Sequence, residues 1–169
     1  MTKNCCVVIY PDSHAVEQAL GELQSVGCDL RQVSVIGSGC HGEAYPVGIY
    51  CTDERMRFLG HQDIFWNTIW GQLAGAAFFW EPDFGPLAVA GRVIDLMVNG
   101  LEGAEFSDGF SFPGTALFVT GVPRGSINEY EQAIKAEKFL LLVDGERRDV
   151  ERACGALHGE TQQVTVHHA

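Results

Sequence analysis

Residues 4 to 10, NCCVVIY, form a short run that favours a strand, and Pro11-Asp12-Ser13 behind it supplies a turn and an N-cap. Val16, Ala19, Leu20 and Leu23 then fall on one helical face, until Gly27 ends the run. Val33 and Val35 alternate with polar Gln32 and Ser34, as a half-buried strand does. The other end repeats this grammar. Phe139 to Val143 is an apolar strand and Asp144-Gly145 a turn; Val150, Ala153, Cys154 and Leu157 make a second helical face closed by Gly159. Val164 and Val166 then alternate with Gln163, Thr165 and His167.

Each β-α-β unit is too small to bury its own sheet face. The two satisfy each other if they combine into a four-stranded antiparallel sheet with both helices on one side. The prediction is an α+β fold, a ferredoxin-like βαββαβ sheet built from residues 1–37 and 138–169. Two separate βαβ domains are the alternative, and each would have little core. The whole chain of 169 residues reads as one domain, interrupted by an insertion over 38–137.

The insertion is read as mainly helical. Thr52 with Asp53 and Glu54 caps a short helix to Leu59, closed by Gly60. Ile64 to Trp80 runs without a charge, with Gly71 and Gly75 four apart, and EPDFGP (81–86) is a turn. Pro86 suits the first turn of a second helix reaching about Phe106, so 64–106 reads as a glycine-rich helical hairpin. A third apolar segment spans Gly114 to Thr120. After Pro123, Ser126 and Glu129 form an S-x-x-E capping box for a helix ending near Glu137.

Composition sharpens where the unusual chemistry lies. The formal net charge is −11, from 22 Asp plus Glu against 11 Lys plus Arg. With no basic run, the chain lacks the electrostatic footprint of a nucleic-acid binder. Between Phe58 and Pro123 stand ten of the twenty glycines and seven acidic residues against one base, Arg92. The N-terminus lacks the apolar core and cleavage site of a secretory signal, so the expected location is cytoplasmic. Cys5, Cys6, Cys28, Cys40, Cys51 and Cys154 include no C-x-x-C pair and read as reduced thiols.

The aromatic ends of the 64–80 stretch resemble an interfacial belt, and small residues at four-residue spacing let helices approach closely in membranes and soluble bundles alike. Seventeen helical residues would span about 25 Å, short of a bilayer core of roughly 30 Å. Arg92 and Asp95 would each cost about 2.5 to 3.5 kcal/mol inside it unless paired with each other. A protein-buried hairpin is therefore preferred, with a membrane-inserted hairpin at the inner face of the membrane as the alternative.

The segments VVIYPDSHAVEQALGELQSVG, MRFLGHQDIFWNTIWGQLAGAAFFWEPDFGPLAVAG, LEGA at 101–104 and INEYEQAIKAEKFLLLVDG together resemble the bacterial general-stress and low-temperature-induced protein family, often labelled permease-like or membrane proteins. The aromatic-glycine stretch followed by GPL is the most specific part. The resemblance implies a ferredoxin-like sheet interrupted by a glycine-rich helical hairpin, and a stress association. It brings no established activity and no catalytic residues.

Candidate chemistry is sparse. Arg92, Asp95, Asn99 and Glu102 are spaced 3, 4 and 3 and would share one helical face; one reading is a polar seam that, with His61, holds or passes a cation. A solvated face or subunit salt bridges is the plainer reading and is preferred. Cys40, His41, Cys51 and His61 match no common zinc spacing, and His158, His167 and His168 read as exposed. Neither a G-x-S-x-G nor a G-x-x-x-x-G-K is present. No catalytic residue, metal or cofactor is assigned. The expectation is a non-enzymatic, stress-associated homo-oligomer that self-assembles through Trp66, Trp70, Gly71, Gly75, Phe78, Phe79 and Trp80. Membrane association and a small-ligand or metal-binding regulatory module are the alternatives.

Overall fold

A computed structural model describes residues 4–38, 50–51, 73, 76–81, 85–93, 114, 117–118, 120–157 and 163–168. The chain is α+β, with an antiparallel sheet and helices, as the pattern predicts. The strands are β1 (Asn4–Tyr10), β2 (Val33–Ser38), β3 (Tyr50–Cys51), β4 (Ala76–Glu81), β5 (Gly85–Gly91), β6 (Phe139–Gly145) and β7 (Gln163–His168). The helices are α1 (Ser13–Ser25), α2 (Arg124–Lys135) and α3 (Arg147–Leu157), with a 3-10 turn at Leu30–Gln32. The strand order is β3-β4-β5-β2-β6-β1-β7. β1 sits between β6 and β7, with Val7 opposite both Leu142 and Thr165.

The terminal β-α-β units form largely where the periodicity places them. The Asp12 side chain accepts a hydrogen bond from the Ala15 amide at 2.8 Å and opens α1, whose buried residues are Val16, Ala19, Leu20 and Leu23. Gly27, at φ 76°, closes it: the Gly27 and Cys28 amides donate to the Gln24 and Leu23 carbonyls, satisfying the helix end. On α3 the buried positions are Val150, Ala153 and Leu157. α1 and α3 share one face of the sheet, packed on Cys6, Val8 and Tyr10 of β1 and on Leu141 and Val143 of β6. Burial of each large aliphatic side chain there contributes about 1.5–3 kcal/mol.

The opposite face is also covered. Ile127, Tyr130, Ala133 and Ile134 of α2, with Leu117 and Val122, pack on Cys5, Val7, Ile36, Leu140 and Leu142. β1 and β6 are thus buried on both sides, which is why neither NCCVVIY nor FLLLV alternates with polar residues. Ser34, read as a solvent-facing position, is buried.

The insertion departs from the helical expectation. Ala76–Glu81 and Gly85–Gly91 are strands of an antiparallel hairpin, pairing from Ala76↔Ala90 to Glu81↔Gly85. The helical hairpin over 64–106 is therefore corrected at 76–91. Each run between breakers holds six or seven residues, a strand's length, and short apolar runs look alike whether they become buried strands or buried helices. Pro86, expected in a helical first turn, stands opposite Trp80 and beyond the last β2 pair, Ser38↔Leu87, where its missing N–H breaks no bond to β2. Tyr50–Cys51 likewise pairs with β4. The expected helix at 52–59 lies outside the described residues. In the third apolar segment, Gly114, Leu117, Phe118 and Thr120 are helical. No helix among the described residues is long and apolar enough to cross a membrane.

The capping box is corrected as well. α2 begins at Arg124 behind Pro123 with no side-chain cap, so Ser126 already lies inside the first turn. The helix ends at Lys135, and Glu137 takes a left-handed φ of 62° while its amide and that of Lys138 bond back to Ile134 and Ala133.

Candidate functional site

The hairpin joins the rest of the sheet at a close contact. Gly91 ends β5 opposite Ser34 of β2, at φ 104°. A Cβ placed there would run into the Val33 carbonyl oxygen and stand 2.7 Å from Ser34 Cα, so only glycine fits. The Ser34 hydroxyl oxygen accepts a hydrogen bond from the Val93 amide at 3.0 Å. That bond ties the chain leaving the hairpin to β2 and satisfies a buried polar side chain.

Arg92 follows directly. Its Nε lies 3.4 Å from Asp144 Oδ2 at the end of β6. The arginine is about half exposed and the aspartate side chain is 11% exposed. Burial pushes the Asp144 carboxyl above the ordinary range, while the Arg92 guanidinium and a backbone hydrogen bond pull it back. Cys5, opposite Asp144 on β1, is pushed up to about 12 by burial and then by that carboxylate. On β7 the register position opposite Cys5 is His167, and His168 stands opposite buried Asn4.

Of the expected polar seam, Arg92 pairs with Asp144; Asp95, Asn99 and Glu102 lie outside the described residues. So do Trp66, Trp70, Gly71 and Gly75. Phe78, Phe79 and Trp80 fall consecutively on β4, opposite Ala88, Leu87 and Pro86 of β5. In the strand order β4 lies between β3 and β5, on the side of β2 away from β6, β1 and β7. Leu73, buried, joins the core around Ala88 and Ala90.

A second cluster lies under α3. Cys6 is fully buried, and Cys154 on α3, partly exposed, packs at the edge of the core cluster that contains it. Burial first, and then Cys154, push the Cys6 thiol far above its usual range. Cys28 lines a small open cleft of about 140 Å³ with Asp29, Gln32, Asp149 and Arg152. Burial raises its thiol too, helped by Asp149 and Asp29 and opposed by Arg152, which keeps it protonated and a poor nucleophile. The Tyr10 hydroxyl is buried without a hydrogen-bond partner among the described residues.

Sequence reasoning missed Ser34, Asp144 and the packing of Cys154 against the core cluster of Cys6. A carboxylate directly after five apolar residues was a signal for Asp144; nothing local indicated the other two. Among the described residues no group of three metal-ligating side chains converges. Comparison with protein-family models, curated proteins and solved structures returned no match.

Proposed function

We propose that this is a non-enzymatic protein that self-assembles, with a ferredoxin-like βαββαβ framework and the inserted β4–β5 hairpin as its contact element. The framework reading is supported by the order β2-β6-β1-β7, in which the strands of the two terminal units interleave. The observation that carries the assembly reading is the uncharged aromatic run Phe78-Phe79-Trp80 on β4, near one end of the strand order. Aromatic side chains of this size carry roughly 150–250 Å² each, so a partner that covered any of them would remove a large apolar area from water. The occupant we assign is a second copy of the chain. Ala76 to Trp80 and Pro86 to Gly91 contain no charged residue, so the repulsion between two chains of net charge −11 is smallest along these stretches, with the carboxylate of Glu81 at the end of β4. A stress association rests on the family resemblance alone.

The test is mass in solution. Native mass spectrometry at micromolar concentration without detergent should give an oligomer, and Phe79→Ser with Trp80→Ser should shift it toward monomer with the circular dichroism spectrum retained. A well-folded wild-type monomer overturns the proposal, as does recovery only with detergent or in the vesicle pellet.

A further inference from the structure

The seven-stranded sheet ends differently on its two sides. At one end β3 has two residues; at the other β7 has six, and among the described residues no strand lies beyond it. β7 is paired with β1 along its whole length, from Ile9↔Gln163 to Asn4↔His168, without a bulge. In an antiparallel ladder every second residue turns its N–H and C=O away from the existing neighbour, so the outer side of β7 presents about three such sets. Folded proteins blunt an edge of this kind with proline, charge or a bulge. QVTVHH contains no proline and no Asp, Glu, Lys or Arg, although the chain carries a net charge of −11. The edge is regular and free of the carboxylates that would repel a second chain.

The order of residues along the strand selects the partner. Opposite residues in a sheet share a face, so Val164 and Val166 stand on the face of Val8 and Cys6, against which α1 and α3 pack. Gln163, Thr165 and His167 stand on the other face. An antiparallel partner must repeat this alternation in reverse, and Val164-Thr165-Val166 reads the same in both directions. We propose that the outer edge of β7 is an interface for β7 of a second copy of the chain, joined antiparallel about a two-fold axis at Thr165. The register that keeps both faces in phase sets Thr165 opposite Thr165, Val164 opposite Val166 and Gln163 opposite His167. A centre at Val166 would instead bring His168 opposite Val164. Pairs of β-branched residues are favourable cross-strand neighbours, and no like charges meet. The two sheets become one, with both α1 and α3 layers on the same side. This surface is distinct from the β4–β5 hairpin, because β2, β6 and β1 lie between them.

The test separates the two surfaces. With Phe79→Ser and Trp80→Ser in place, native mass spectrometry at micromolar concentration should still show a pair of chains. Adding Thr165→Lys, which sets two like charges on the axis, should reduce the mass to that of one chain with the circular dichroism spectrum retained. A second measurement leaves the hairpin untouched. The single variant Thr165→Cys is oxidised in air and mapped without reduction after cleavage at Glu160, which separates position 165 from Cys154. The peptide holding position 165 should be recovered linked to a second copy of itself. A folded monomer in the hairpin variant, a pair that survives Thr165→Lys, or absence of the self-linked peptide overturns the proposal. A wild-type pair that is lost with Thr165→Lys but unchanged by the two serine substitutions supports it and overturns the hairpin reading.

Discussion

The β1–β6 centre of the sheet and the β4–β5 hairpin are both antiparallel pairs of apolar strands, but they are held in different ways. β1 and β6 are clamped between α1 and α3 on one side and α2 on the other, and every residue from Cys5 to Val8 and from Phe139 to Val143 is buried. The hairpin joins the strands of the terminal units through β5, which pairs with β2 from Ser34↔Gly91 to Ser38↔Leu87, with a close backbone approach at Gly91 and an ion pair from Arg92 to Asp144 at its end. The centre is stabilised by area spread over many side chains. The hairpin adds to the buried side chains of Leu87 to Ala90 a backbone-level fit at Gly91, which makes that position one where a single substitution acts selectively.

The largest effect is expected at that fit. Gly91→Val places a branched side chain at φ 104° against the β2 backbone and should cost about 4 kcal/mol or more in urea unfolding. Hydrogen exchange then sharpens the contrast: amides of β4 and β5 should lose protection while those of β1 and β6 keep theirs. Equal loss in both pairs would erase the distinction. Next, Leu141→Ala, on the α1/α3 face of β6, should cost about 2–5 kcal/mol by cavity formation and lower protection across the whole sheet.

Arg92→Leu should cost about 1–2 kcal/mol at neutral pH, because it leaves the Asp144 carboxylate buried without its cation. The sign follows from the raised carboxyl. A group that holds its proton more tightly when folded favours the fold below its unfolded pKa, near 3.8, and this contribution is lost as pH rises through the higher folded value. The penalty of Arg92→Leu should therefore shrink toward zero in acid, measured as urea midpoints of both proteins across the carboxylate range. The smallest effect is a gain: Gly21 lies exposed inside α1 with open space around its Cβ position, so Gly21→Ala should stabilise by about 0.5–1 kcal/mol.

The regions differ equally in how much of them was legible beforehand. α1 carries its own start, stop and face in Asp12, Gly27 and Val16-Ala19-Leu20-Leu23, all within one local stretch. The strand identity of 76–91 is a long-range fact: Ala88 becomes a strand residue by lying between Phe78 and Gly37, and a short apolar run does not announce its partners. The expectation put both helices on one side of the sheet; the cover on the other side, α2, lies in the insertion, far in sequence from β1. At α2 the S-x-x-E pattern misled because Pro123 sets the chain direction one turn earlier. Asp144 looked like a turn residue and proves to be a buried charge facing a base from the insertion.

The position of β1 between β6 and β7 also has a consequence for synthesis. Tyr10 must wait for Phe139, so the first strand leaves the ribosome roughly 130 residues before its neighbour, an interval of about 7–26 s at ordinary elongation rates. Through that time Cys5, Val7 and Val8 have no ladder to join, and β2 has only the incoming hairpin strand β5 beside it. The inserted hairpin is thus the first partner available to β2 in the nascent chain, before the central strand β6 exists.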